Sequence, residues 1–172
     1  MARDDEFAEF VAARYRALVR TGLLMTGDTG HAEDLAQTAL IRTYLAWGRL
    51  RDPANAEPYA RRTLVRLALR AKQRRWTAEL AAGQSPGDGA GAPAGSWPAP
   101  DDLALDVRRA LAALPSGQRA VLVLRYLDDQ SEDETARLLN IPLGTVKSRA
   151  ARGLASLRQA GLLDLEGGRH DR

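Results

Sequence analysis

Apolar residues recur every three or four positions along two long stretches of this chain of 172 residues, as in amphipathic helices. The N-terminal stretch predicts three helices, over about 5–25, 31–47 and 58–76. Turn-forming residues at 26–30 and a Pro-containing loop at 51–58 separate them. The predicted apolar positions, helix by helix, are Phe7, Phe10, Val11, Leu18 and Val19; Leu35, Ala39, Leu40 and Thr43; Leu64, Leu67, Ala68 and Ala71.

The C-terminal stretch predicts four shorter helices. Asp101 or Asp102 is a plausible N-cap for the first, and Pro115 opens the second. Ser131 followed by Glu134 fits a capping box for the third, over 132–139. Asn140 to Pro142 ends that helix, and the last one runs from about 143 to 160.

Residues 80–100 separate the two stretches and show no periodicity. Gly, Pro, Ala and Ser dominate there, a composition that buries too little apolar surface to offset the entropy of ordering. We therefore predict an all-α chain of two small helical domains joined by a flexible linker. The predicted boundaries are 1–79, 80–100 for the linker, 101–163, and 164–172 for a tail.

Charge is distributed unevenly, although the net charge is only +3. Residues 58–79 carry seven Lys and Arg against one Asp or Glu, and residues 142–160 carry four against none. The residues before each of these stretches are acidic on balance. Two separate basic stretches indicate contact with phosphates, the main source of non-specific affinity for nucleic acids. Solvated helix faces are the alternative interpretation.

The segment 131–158 has the pattern of a helix-turn-helix. Ala136 is small enough for a close helix crossing, and Asn140 tolerates the positive φ of the turn. In the last helix, Val146, Ala150, Gly153, Leu154 and Leu157 form one apolar stripe. The opposite face then carries small residues and long cations, which suits insertion into a major groove about 12 Å wide.

Other features narrow the functional classes. The chain has no Cys and only two His, and it shows neither a metal-ligand spacing nor a Gly-rich phosphate loop. No apolar run approaches the roughly 18 residues of a membrane span, and the acidic N-terminus is unlike a signal peptide. We expect a cytoplasmic protein with no cofactor, no metal and no membrane contact, and we do not expect an enzyme.

Specific motifs in both halves resemble one family. Leu114-Pro115, Gln118-Arg119, Arg125-Tyr126 and the run 144–149 match, in order, the −35 domain of extracytoplasmic-function sigma factors. These proteins belong to the sigma-70 family of bacterial RNA polymerase subunits. The N-terminal segments HAEDLAQ and PYARRTLVRLALRAKQRRW resemble the same family's polymerase-binding segment and −10 helix, with an Arg-Arg-Trp ending seen in its actinobacterial sigma-E-like branch.

The resemblance implies a function and a set of partners. A sigma factor binds core RNA polymerase, through the β′ clamp and the β flap, and directs promoter-specific initiation of transcription from promoter DNA. An anti-sigma factor is a further candidate partner, because many relatives are held inactive by one. The resemblance places polymerase binding at Asp34, Gln37 and Ile41. It places −10 contacts at Arg62, Arg66, Arg70, Lys72, Arg74 and Arg75, and −35 contacts at Thr145, Lys147, Ser148, Arg149 and Arg152. Four nearby aromatic residues are candidate platforms for unpaired bases, with ordinary packing as the alternative: Tyr44, Trp47, Tyr59 and Trp76.

Three other functional classes remain as alternatives on the sequence alone. A ligand-sensing transcription regulator would share the helix-turn-helix, but it would need neither the clamp-like segment nor the second basic helix. A degenerate sigma factor that occupies polymerase without starting transcription is kept open by Thr38 and Arg66, where the family often has an acid and an Asn. An enzyme is disfavoured, because the pair Asp128-Asp129 fits a turn better than a catalytic site.

Overall fold

The computed structural model describes residues 2–50, 53–81 and 105–161, and every regular element in these ranges is a helix. The chain divides into two compact units, Met1–Trp97 and Pro98–Arg172. The all-α fold with two helical units is therefore confirmed. Most of the predicted linker, 82–100, both ends of the predicted second domain, 101–104 and 162–163, and the predicted tail, 164–172, lie outside the described residues.

The first unit is a three-helix bundle. Its helices are α1 (Ala2–Thr26), α2 (Thr29–Ala46) and α3 (Ala56–Ala81), with single 3-10 turns at Trp47–Arg49 and Pro53–Asn55 before α3. α3 is longer than predicted at both ends and continues two residues into the range predicted as linker. Asp28 caps α2, because its Oδ1 accepts from the backbone N–H of His31 at 2.8 Å.

Small residues let α1 and α2 pack closely. Ala32, Ala36 and Ala39 are fully buried on α2. A Cβ at Gly22 of α1 would lie 3.3 Å from the backbone of Ala32. The predicted apolar face of α2 is confirmed, since all four of its residues are buried. In α3 the core is wider than the predicted stripe and includes Val65.

Polar contacts join the helices at the edge of this core. The Glu57 carboxylate of α3 binds Arg14 of α1 at 2.8 Å and Arg61 of its own helix at 2.9 Å. Since both arginines are partly exposed, we expect this network to add little to stability. It does remove Arg61 from the set of cations available on α3.

The second unit packs around one continuous buried helix. Its helices are α4 (Leu105–Ala113), α5 (Ser116–Leu122), α6 (Glu132–Leu139) and α7 (Leu143–Gln159), and α5 continues into a π turn at Val123–Leu127. All five residues from Ala120 to Leu124 are buried. The proposed caps Asp101 and Asp102 lie outside the described residues.

Two arginines of the family-like motifs stabilise the turns of this unit. Arg119 donates from Nη2 to the carbonyls of Ala112 and Leu114, at 2.7 and 3.1 Å, where α4 ends. Arg125 donates to the carbonyl of Gln130, in the turn before α6. These motif positions therefore support the scaffold.

Candidate nucleic-acid and protein interfaces

The helix-turn-helix is formed by α6, a three-residue turn and α7. Ser131 caps α6 by accepting from the backbone N–H of Glu134 at 3.0 Å, which confirms the predicted cap. Asn140 adopts the left-handed conformation, with φ 54 and ψ 50, as predicted from its tolerance of positive φ. The backbone N–H of Ile141 then donates to the carbonyl of Ala136 at 3.1 Å and closes the turn.

α7 is fixed in rotation by its contact with α5. Val146 and Gly153 are buried, and a Cβ at Gly153 would lie 2.8 Å from Cδ1 of Leu122. The opposite side of α7 is exposed and carries Ser148, Ala151, Arg152 and Ala155, and Lys147 is exposed on its flank.

The cations of α7 have different neighbours. Lys147 Nζ lies 3.8 Å from Glu132 Oε2 at the start of α6; the Lys147 side chain is 60% exposed and that of Glu132 40%. Arg149 is half-buried, and its guanidinium lies against Gly117 of α5. Arg152 is exposed on the outward face.

The two remaining candidates at the start of α7 are polar and small. Thr145 is half-buried, and its carbonyl accepts from Ser148 Oγ at 3.2 Å. Of the five predicted −35 residues, Lys147, Ser148 and Arg152 are thus exposed, whereas Thr145 and Arg149 are half-buried. The sequence analysis missed Glu132 and Gly117, because both are distant in sequence from the residues that they contact.

The second basic surface lies on α3. Arg62, Arg66 and Arg70 are exposed and lie one helical turn apart along the same face. Lys72 and Arg74 are also exposed, closer to the C-terminal end. Arg75 lies in α3, but its side chain is outside what the structure describes.

α2 presents a third surface, which is not basic. Asp34, Gln37 and Ile41 are all exposed on this helix, and Ile41 exposes 62% of its surface. Leu45, one turn further along, exposes 68%. The sequence analysis did not identify Leu45, although its spacing from Ile41 was visible. Two large exposed aliphatic side chains beside polar groups are typical of a protein-binding surface.

The N-terminal turn of α1 covers the end of α2. Arg3 donates to the Tyr44 carbonyl at 3.0 Å and lies 5.0 Å from the Tyr44 ring centroid. The Tyr44 hydroxyl donates to Asp4 Oδ1 at 2.8 Å, and this hydrogen bond and charge raise the pKa of Tyr44. Tyr44 therefore stays a neutral donor at neutral pH.

Aromatic packing occupies one of the proposed base platforms. Trp47 is buried, with its ring 5.2 Å from Phe7 and 5.3 Å from Phe10. It serves the packing of the first unit, as the alternative interpretation held. Tyr44 and Tyr59 each expose 36% of their surface, and the Trp76 side chain is outside the described part.

Known proteins share both the sequence and the fold. Residues 10–77 match the Sigma-70 region 2 family, and residues 104–157 match the family described as Sigma-70, region 4. The RNA polymerase sigma-E factor of Streptomyces avermitilis is 36% identical over 154 residues, 90% of this chain and 84% of that protein. The ECF RNA polymerase sigma factor SigM of Mycobacterium tuberculosis is 30% identical over 151 residues, 88% and 74% of the two chains.

A solved structure shows the same fold. The sigma factor RpoE of Bartonella quintana, determined in complex with the anti-sigma factor NepR, superposes with a TM-score of 0.70. The match covers 92% of this chain and 98% of that one, at 22% identity.

With these matches in both units, the chain belongs to the sigma-70 family of RNA polymerase sigma factors. Within the family it is an extracytoplasmic-function sigma factor. It binds core RNA polymerase and directs promoter-specific initiation of transcription. Within the described ranges, no helix combines the length and apolar character that a membrane crossing needs.

Proposed function

We propose that three helix faces divide the work of this sigma factor. The exposed face of α2 binds core polymerase, the basic row on α3 contacts the −10 element, and the outward face of α7 reads the −35 element. The observation that carries this proposal is the outward face of α7. It combines exposed cations with small residues on a helix that has no acidic residue between 142 and 160.

On α7, position around the helix determines the role of each side chain. Arg152 lies opposite the buried stripe, so it enters the groove and hydrogen-bonds a base edge, with Ser148 one turn earlier. Lys147, Arg149 and Thr145 lie toward the flanks and contact the phosphates that border the groove. The exposed small residues allow the helix to approach closely.

On α3, the regular spacing of the cations suits a sugar-phosphate backbone. Arg62, Arg66 and Arg70 lie at intervals of ~6 Å along the helix, given its rise of about 1.5 Å per residue. Like charges at this spacing repel one another, and an anion lying alongside relieves the repulsion. Arg74 continues this row by one further turn. By family resemblance, Lys72 and Arg75 are further candidates for −10 contacts.

On α2, the aliphatic pair is the centre of the polymerase contact. Ile41 and Leu45 supply apolar area, and Asp34 and Gln37 supply polar contacts at its edge. Buried apolar anchors with a polar rim are the usual anatomy of a protein interface. By family resemblance the partner surface is the β′ clamp.

The remaining assignments rest on the family. We propose that the chain works in the cytoplasm, has no catalytic activity of its own, and folds as domains 1–79 and 101–163 around a flexible linker. An anti-sigma factor is its proposed regulator, a role supported by the relative RpoE, which was solved with one.

Transcription with purified core polymerase on genomic DNA tests the proposal. We expect defined transcripts that require the chain and start at a common promoter motif. Arg152→Ala should change that motif, whereas Asp34→Arg should abolish transcription by preventing core binding. Core binding without any transcript would instead support a degenerate sigma factor.

A further inference from the structure

The Arg149 guanidinium occupies the space where a side chain at position 117 would lie. A Cβ on Gly117 would come within 2.9 Å of Arg149 Nη1 and 3.0 Å of its Cζ. Such distances are shorter than van der Waals contact. The Arg149 guanidinium therefore lies against the first turn of α5, and a Cβ at position 117 would force it to shift from this position.

The backbone at position 117 gives no other reason for glycine. The glycines with positive φ in the described chain are Gly27 and Gly161, and Gly117 is an ordinary helical residue near the start of α5. Glycine at such a position is less favourable than alanine for the helix. The contact with Arg149 is the structural feature that makes glycine useful here.

Docking on Gly117 limits the freedom of Arg149 before any ligand is bound. A free arginine side chain has many accessible rotamers, and it loses part of this freedom when it binds a phosphate. Arg149 is in the first half of α7, on the flank that faces α5. That half enters the groove in helix-turn-helix proteins, so the flank faces the bordering sugar-phosphate backbone.

We propose that Gly117 is a positioning residue for −35 recognition: it holds the Arg149 guanidinium in the orientation in which it meets a phosphate of the duplex. This inference rests on the proposed role of α7. Gly117 itself touches no DNA, and its effect on binding passes entirely through Arg149.

The central experiment compares Gly117→Ala, Arg149→Ala and the double variant in the full-length chain. The probe is the −35 duplex that the parental protein selects from a randomised pool. Gly117→Ala should weaken binding about three- to tenfold, the cost of ordering one long side chain on binding. Arg149→Ala should weaken binding and lower the salt slope by about 0.9, the value for one duplex phosphate. The double variant should bind like Arg149→Ala.

Thermal unfolding separates positioning from folding. The clashing atoms belong to the far end of a flexible side chain, so Gly117→Ala should keep or raise the melting temperature. Gly30→Ala is the matched control, because Gly30 is also the second residue of its helix and its Cβ would have only an ordinary 3.6 Å contact. That control should leave duplex affinity unchanged.

Three results would overturn the inference. They are unchanged affinity in Gly117→Ala, a further loss when that change is added to Arg149→Ala, and unfolding of Gly117→Ala. A different result would contradict the proposed role of α7: the parental protein would select no duplex at all. If Arg152→Ala alters the selected sequence while Gly117→Ala has no effect, only the present inference is wrong.

Discussion

The two basic helices of this sigma factor differ in how their cations are arranged. On α3, three arginines repeat one turn apart along a single exposed face. On α7, the three cations of the predicted −35 set have different surroundings: Lys147 lies near Glu132, Arg149 rests on Gly117, and Arg152 is exposed. A repeated row of charge suits contact with a backbone, which carries no sequence information. On α7 the different surroundings separate the outward Arg152, which we propose reads a base, from Lys147 and Arg149, which we propose contact phosphates.

The largest effect on binding should come from the exposed face of α2, which belongs to neither basic helix. Ile41→Asp places a charge in the centre of the proposed polymerase contact and should weaken core binding about 30-fold or more, as for an interface hot spot. Ile41 is largely exposed, so the fold should survive. Titration with labelled core polymerase measures the effect.

Ala13→Asp is the control for that change, because Ala13 is exposed on α1. It should leave core affinity as it was. Equal affinities for the two variants would move the polymerase contact away from α2.

The row on α3 should affect the salt dependence of promoter binding. Replacing Arg62, Arg66 and Arg70 together by Ala removes three proposed phosphate contacts. The slope of log affinity against log salt should fall by about 2 to 3, at 0.7 to 0.9 for each phosphate. Filter binding of the holoenzyme to promoter DNA across a salt series measures this slope.

Arg16→Ala is the comparison variant, since Arg16 is an exposed cation on α1. Its slope of log affinity against log salt should match that of the parental protein. If the triple variant also keeps the parental slope, the row on α3 contacts polymerase or solvent.

A smaller effect should come from the ion pair between α6 and α7. Glu132→Gln removes an acid beside the phosphate-binding flank and releases Lys147. Affinity should rise about two- to fivefold on all −35 sequences alike, within the range of exposed ion pairs, and the gain should shrink at high salt. Lys147→Ala should instead lower the affinity for all −35 sequences. Reduced affinity in Glu132→Gln would mean that the ion pair orients Lys147 for binding.

The smallest effect concerns the interior of α6. Thr135 is fully buried, and its hydroxyl has no hydrogen-bond partner in the described chain. Thr135→Val should raise the free energy of unfolding by about 1 kcal/mol, because a buried unpaired hydroxyl is costly. Chemical denaturation measures this, and duplex affinity should not change. A loss of stability would show that the hydroxyl is hydrogen-bonded in solution.

Much of the fold could be predicted from local patterns. The apolar face of α2, the cap at Ser131 and the left-handed Asn140 all depend on residues within one or two turns of each other. The predicted ends of the helices were less accurate than their positions: α3 reaches Ala81, although the apolar periodicity of its sequence fades earlier. The π turn at Val123–Leu127 was not predicted either, since a continuous apolar run has no periodicity to interrupt.

The site was predicted less completely than the fold. Spacing alone placed the cations of α7 on one helix, and the family resemblance gave them a role. The contacts of Lys147 with Glu132 and of Arg149 with Gly117 join residues on different helices. No local pattern encodes such contacts, because they depend on how α5, α6 and α7 pack. Leu45 was missed for another reason: a single exposed leucine looks like a core residue until the helix is placed in the bundle.

Selection of promoter sequences by two holoenzymes, carrying Arg152→Ala and Arg66→Ala, tests most directly whether α7 reads bases while the row on α3 tracks the backbone. Arg152→Ala should relax the preference at one or two −35 positions, a loss of about 1–3 kcal/mol of discrimination. Arg66→Ala should weaken promoter binding and leave the −35 preference as it was. If Arg152→Ala retains the parental −35 preference while Lys147→Ala changes it, the assignment of base reading to Arg152 is wrong.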